Sequence, residues 1–296
     1  MSRDPPGESF QKGNDPERAI VTAALTGAIT TRDHCPAIPY TPEEIASEAE
    51  RVEEAGAAAV HIHARADEGN PTEDPERFQE IHDAVTERTD LITNFATGSD
   101  NRDTEMRQEY LREVQPEIGA LSMGSVNSAK YSESRGEFVY ETVFENSVGE
   151  IRELLEAMRA GGVKPELECF TTSHITNAAP LLASEELPTP IHASLIMGGP
   201  AGGQATAGNL VQMVRQLPDS ATWQVIGVGR DQWPMVAVAA GMGGNVRVGL
   251  EDNFYTPDGQ MVDSKAGLVA QAVEIIEAVG RSAASATEAR RILGLS

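Results

Sequence analysis

From Ile20 onward the chain alternates a short apolar run with a longer amphipathic one, eight times over, with no break in composition between repeats. The short runs are Ile20 to Thr26, the stretch around Val60-His61-Ile62-His63, Leu91 to Thr97, Ile118 to Met123, Pro165 to Phe170, Ile191 to Met197, Trp223 to Val228 and Asn245 to Leu250. Parallel strands need a crossover between them, and a helix supplies it. Eight such units in one domain predict a (β/α)8 barrel, an α/β architecture of about 250 residues that fits inside a chain of 296. An open doubly wound sheet is the competing arrangement, but it wants a phosphate-binding glycine turn after the first strand, where this chain has Thr26-Gly27-Ala28-Ile29-Thr30. Helix starts are legible as well: Thr41 is an N-cap, with Pro42 at the first helical position, Glu44 completing a capping box and Gly56 ending the helix. Asp74-Pro75 opens the second helix, and a helix from Ser264 to Val279 closes the set, followed by a short tail helix near 287 to 293. Residues 1 to 17 are polar and aperiodic and read as a disordered lead-in, leaving 18 to 296 as a single barrel domain.

Charge narrows the partners. Asp and Glu number 46 against 23 Lys and Arg, a net charge of -23, and the cations are 4 Lys and 19 Arg. Such a surface suits high salt, where counterions screen the self-repulsion; an ordinary acidic cytosolic enzyme is the alternative. Duplex nucleic acid and anionic membranes are poor partners for it. Cys35 and Cys169 are too few and too far apart for a disulfide framework, and no apolar run reaches membrane-spanning length, so the expected location is the cytoplasm.

Chemistry enters at Val60-His61-Ile62-His63-Ala64-Arg65. Residues two apart on a strand face the same way, so His61 and His63 point together while Val60 and Ile62 face the helices. Two lumen histidines near a strand end can share one divalent metal. A lone His-x-His is more often packing than ligation, so a third ligand is needed. The eighth strand offers one. Asn245-Val246-Arg247-Val248-Gly249-Leu250-Glu251-Asp252 sends its aliphatic residues outward and leaves Arg247, Gly249 and Glu251 facing the lumen, with Asp252 at the exit. Only the first strand separates the eighth from the second, which brings Glu251 near both histidines; two imidazoles and a carboxylate with open positions suit zinc as a Lewis acid. Arg247 and Asp252 pair either to orient a base or as a structural salt bridge.

On the fifth strand Glu166 and Glu168 face inward, Glu168 nearer the catalytic end and Glu166 deeper and structural. Glycine-rich turns follow the sixth and seventh strands, including Gly202 and Gly203 in one and Arg230 just beyond the other; they could approach a phosphate, though glycine also simply makes turns. His34, His82, His174 and His192 read as non-ligands.

Taken together, Thr26-Gly27-Ala28, Pro36-Ala37-Ile38-Pro39, Thr41-Pro42-Glu43-Glu44, the His-x-His strand, Ala96-Thr97-Gly98 and Arg247-Val248-Gly249-Leu250-Glu251-Asp252-Asn253 resemble the β-keto acid cleavage enzymes from about residue 20 to the C-terminus. The resemblance implies a homo-oligomeric zinc enzyme that joins a β-keto acid to acetyl-CoA and releases acetoacetate and a new acyl-CoA by a retro-Claisen step. It also implies His61, His63 and Glu251 as metal ligands, Arg247 and Asp252 as the dyad that generates the nucleophile, and Glu168 as a further active-site acid; Arg230, Gly202 and Gly203 are the candidates for contact with the CoA phosphates. Three positions depart from the family pattern. Ile29 stands where a glutamate suited to an aminated substrate is expected, Ala96 in place of a serine and Ala120 in place of a threonine. Isoleucine cannot pair an ammonium group, so a substrate with an uncharged or apolar far end is expected. A barrel hydrolase of the amidohydrolase kind is the alternative, but it wants its His-x-His on the first strand and lysine or histidines at the ends of the fifth and sixth, which this chain lacks.

Overall fold

A computed structural model of the chain describes residues 10–98 and 104–295. Eight parallel strands close into a barrel. They are β1 Val21–Ala24, β2 Ala59–Ile62, β3 Ile92–Phe95, β4 Ile118–Ser122, β5 Lys164–Cys169, β6 His192–Met197, β7 Thr222–Gly227 and β8 Asn245–Gly249, each hydrogen-bonded to its neighbours, with β8 paired to both β7 and β1. The expected architecture is therefore the observed one, a (β/α)8 barrel. Outward residues such as Val60, Ile62, Leu195, Val225 and Val248 are buried under the surrounding helices and form the main apolar core. The lumen carries polar side chains instead: Thr22, His61, Asn94, Glu166, Ser194, Gln224 and Arg247 are all buried there.

Among the described residues the helices are α1 Pro42–Glu54, α2 Pro75–Thr86, α3 Thr104–Glu113, α4 Val148–Gly161, α5 Thr172–Ala183, α6 Ala207–Gln216, α7 Gln232–Met242, α8 Lys265–Ala278 and α9 Ala286–Leu293. The capping box at Thr41 and Glu44 is present, and Asp74 caps α2 through its side chain. None of these helices is long and apolar enough to cross a membrane.

Two features depart from expectation. Between β4 and α4 an antiparallel ribbon, Val126–Ser132 with Glu137–Phe144, rises off the barrel. Residues 10–17, read from sequence as part of a disordered lead-in, are instead packed against the bottom of the barrel, while 1–9 lie outside the described residues. Asn14 is buried and donates to the carbonyls of Trp223 and Gly243, its Oδ1 accepts from the Trp223 amide and from Asn245, and the Trp223 indole donates to the Phe10 carbonyl. A single well-placed amide side chain with satisfied donors orders a segment that composition marks as polar coil.

Candidate active site

The alternation that aims His61 and His63 into the lumen brings them to the C-terminal end of the barrel, the end at which barrel enzymes carry their chemistry. Their rings meet edge to face with centroids 5.3 Å apart. Both Nε2 atoms address one carboxylate: His61 Nε2 lies 3.2 Å from Glu251 Oε2 and His63 Nε2 lies 3.0 Å from Glu251 Oε1. One ligand atom from each of the three residues falls within 4.8 Å of the others. Thr26 fixes the His63 backbone from both sides, its hydroxyl donating to the carbonyl at 2.7 Å and accepting from the amide at 2.8 Å.

The protonation states suit a cation. Burial, aided by Arg247, lowers the His61 pKa and keeps the ring neutral, while Arg247 and the two histidines hold Glu251 ionised well below the usual carboxylate range against the effect of its own burial. Neutral imidazoles and an ionised carboxylate are the forms a divalent metal requires.

Arg247 organises the carboxylates beside this triad. Its Nε and Nη2 grip Asp252 at 2.9 and 3.1 Å, and Nη2 also reaches Glu251 Oε2 at 2.5 Å. Nη1 is buried, has no hydrogen-bond partner among the described residues and faces Glu168 Oε1 at 3.8 Å. Burial raises both neighbouring acids, Asp252 upward from its ordinary value and Glu168 to about 8, with Arg247 opposing the rise in each case. Glu168 has one side-chain donor, the Ser122 hydroxyl at 3.0 Å, which sequence reasoning did not single out. The deeper acid, Glu166, is structural as expected, accepting from Asn94, Ser194 and Gln224.

His63, Glu168, Arg247, Glu251 and Asp252 form the floor of a cavity of about 530 Å³. Its walls include Ile29, Ala96, Phe170, Ile196, Ile226 and Val228, and the ribbon contributes Tyr140, Thr142 and Phe144. Sequence reasoning missed the ribbon, although its aromatic and β-branched run Phe138 to Phe144 is a strand signal. Ile29 lines the cavity with 72% of its surface exposed, and Ala96 lines it too; Ala120 is buried in the wall, with its carbonyl accepting from the Thr97 hydroxyl.

The glycine-rich turn after β6 reaches the cavity through Pro200 and Ala201 rather than through Gly202 and Gly203. The Gly203 amide is engaged by the Phe170 carbonyl, and a Cβ on Gly202 would stand 2.2 Å from the Gly198 carbonyl oxygen, so close packing already requires glycine there. Arg230 is exposed, outside the cavity lining.

Residues 18–295 match the family model described as beta-keto acid cleavage enzyme. The chain is 38% identical over 280 residues to a 3-keto-5-aminohexanoate cleavage enzyme of Fusobacterium nucleatum, covering 94% of this chain and 98% of that one. It is 31% identical over 281 residues to a 3-oxoadipate:acetyl-CoA acetyltransferase of Cupriavidus necator, covering 93% and 94%. In fold it is similar to the apo structure of ObcA, with a TM-score of 0.73 at 21% identity over 88% of this chain and 66% of that one. A closed barrel with two histidines and a glutamate converging at its catalytic end thus belongs to the beta-keto acid cleavage enzyme family.

Proposed function

We propose that this enzyme is metal-dependent and transfers the acyl part of a β-keto acid to CoA, taking acetyl-CoA as cosubstrate and releasing acetoacetate. In balanced form, R-CO-CH2-COO⁻ and CH3-CO-S-CoA become R-CO-S-CoA and CH3-CO-CH2-COO⁻. The observation that carries this reading is the convergence of His61, His63 and Glu251 on one point of the cavity floor, with the Arg247–Asp252 pair beside it. The relatives named for 3-keto-5-aminohexanoate cleavage and for 3-oxoadipate:acetyl-CoA acetyl transfer support the substrate pair.

His61, His63 and Glu251 would hold the metal, zinc by the nature of the donors. When bound, it supplies Lewis-acid stabilisation of the negative charge that develops on the keto oxygen. Asp252 is the base that takes a proton from the methylene between the keto and carboxylate groups. The bidentate grip of Arg247 fixes the orientation of that carboxylate and balances its charge. Glu168, kept protonated near neutral pH by burial, is placed to donate a proton on the other side of Arg247.

The far end of the β-keto acid is uncharged. The tail lies against Ile29, Ile196, Ile226 and Val228, none of which can pair an ammonium group; the carboxylates of the lining outside the floor, Glu145 and Glu150, belong to the ribbon side and α4. Of the candidates for CoA phosphates only Arg230, exposed beyond the cavity lining, keeps a free approach to solvent. The net charge of -23 with few lysines supports operation at high salt, and the two free, buried cysteines support a reducing cytoplasm; the enzyme works there as a homo-oligomer.

Metal analysis of the purified protein in high salt, combined with a coupled assay for acetoacetate across a panel of β-keto acids, tests the reading. About one zinc per chain and acetoacetate release that depends on acetyl-CoA are expected. Zinc without any CoA-dependent product would shift the assignment to a barrel hydrolase, and a metal-free protein would return His61 and His63 to a packing role.

A further inference from the structure

The alternating row that begins with His61 and His63 has a third member, Arg65, and the reaction outlined above leaves it without a task. Its side chain is 1% exposed, yet among the described residues no carboxylate lies within ion-pair distance of it. Glu251 acts on it only through space, so the desolvation penalty of the buried guanidinium is offset chiefly by hydrogen bonds. Arg65 makes them to backbone carbonyls alone: Nη1 donates to Gly69 at 2.6 Å, and Nη2 donates to Gly27 and, at 2.7 Å, to Thr30. Its own carbonyl is held by Arg77 Nε at 2.8 Å, and its guanidinium lies 5.7 Å from the centre of the Tyr40 ring.

Two of these three carbonyls, Gly27 and Thr30, belong to the turn that packs on Glu251. Gly27 packs so closely on Glu251 that a Cβ there would stand 2.7 Å from Glu251 Cγ. Two residues on, Ile29 extends into the cavity with most of its surface uncovered. Among the described residues, Arg65 Nη2 alone bonds both ends of the 27–30 segment, Gly27 and Thr30, while Nη1 anchors the same guanidinium to Gly69.

We propose that Arg65 is a positioning residue: it straps the 27–30 turn down over Glu251 and thereby fixes Ile29 as the side chain that selects the substrate's tail. The selectivity half rests on the β-keto acid reading above; the strap half does not. Lysine at this position keeps the charge but presents one compact ammonium on a flexible stem, which cannot hold the Gly27 and Thr30 carbonyls and the Gly69 carbonyl at once, as the two arms of the guanidinium do.

The experiment uses the metal-loaded full chain and two variants, Arg65→Lys and Ile29→Ala. Hydrogen exchange followed by mass spectrometry reads the strap: amides of residues 27–31 in Arg65→Lys are expected to exchange about tenfold faster or more, with the rest of the barrel and the metal content unchanged. Steady-state kinetics reads selectivity: the ratio of kcat/KM for 3-oxooctanoate over 3-oxopentanoate is expected to shift by about fivefold or more in both variants, whereas only Arg65→Lys loosens the turn. Wild-type exchange at 27–31 in Arg65→Lys would overturn the strap, and a ratio unchanged in both variants would overturn the selectivity. Should Arg65→Lys fail to fold, Ile29→Ala, a change at an exposed side chain, decides the selectivity alone. A wild type without CoA-dependent activity on any β-keto acid would sink the reaction reading, and the exchange result would still decide the strap.

Discussion

Glu166 and Glu168 sit two residues apart on one face of β5, yet the barrel treats them in opposite ways. Glu166 is fully buried and receives three side-chain donors, from Asn94, Ser194 and Gln224, of which Gln224 also donates to Ser194 and accepts from Thr22. Its pKa falls although burial alone would raise it, with His192 and His61 among the groups that lower it. Glu168 receives one hydroxyl and an arginine nitrogen held off at 3.8 Å, and burial carries its pKa to about 8. One turn of the strand pleat separates a carboxylate whose lone pairs are spent on structure from one whose proton is free to move. Donor supply, more than depth, divides the structural layer of this lumen from the reactive one.

Breaking the lower half of that contrast has the largest expected effect. Glu166→Leu strands the side chains of Asn94, Ser194 and Gln224, and a loss of about 3–5 kcal/mol is expected in urea unfolding at pH 7. An undiminished midpoint would mean that the layer does not depend on its carboxylate. In the upper half, Asp252→Asn removes the proposed base and leaves His61, His63 and Glu251 untouched, so turnover is expected to fall about a hundredfold or more at constant metal content. Turnover that survives would remove Asp252 from the chemistry.

Glu168→Gln sharpens the contrast through pH. Because the folded-state pKa lies near 8 against an ordinary 4.5, the native state holds a proton that the unfolded chain releases. The stability this confers is complete below about 4.5 and lost as pH rises through about 8. Wild-type stability relative to Glu168→Gln should therefore decline across that window in unfolding measurements at fixed salt, and a constant difference would show that Glu168 titrates normally. The smallest effect belongs to Ser122→Ala, which removes the one hydroxyl donated to Glu168 and should change stability by about 1 kcal/mol or less. If it matched Ser194→Ala, which takes a donor from Glu166, the division between the two layers would be wrong.

How much of this was legible in the sequence follows from which features bury a face. Each barrel strand packs one face on helices, so all eight announced themselves as apolar runs within a residue or two of their observed ends; Asn245 to Leu250, for instance, became Asn245–Gly249. The histidine row was legible for the same reason, because a period of two is a property of the strand. The ribbon was not. Its strands leave Tyr131, Phe138, Val139 and Val143 exposed, so no buried face imposed a pattern on the sequence. Asn14 was missed because a single amide that caps distant backbone groups has no sequence periodicity at all. Ser122 and Arg65 were in plain view as residues, but their partners, Glu168 across one ladder and the Gly27 and Thr30 carbonyls across a loop, are fixed only by closure of the barrel.

The segment that ends in Asn14 has a practical consequence for how this protein is handled. It packs beside the starts of β7 and β8, at the end of the barrel away from the cavity, so an expression boundary drawn at the first strand would strip the Trp223 indole and amide and the Asn245 side chain of their acceptors together. A shortened protein of that kind would carry every residue of the cavity and still leave buried donors at the other end of the barrel unpaired. Where the gene is cut thus becomes a choice about stability rather than about the site.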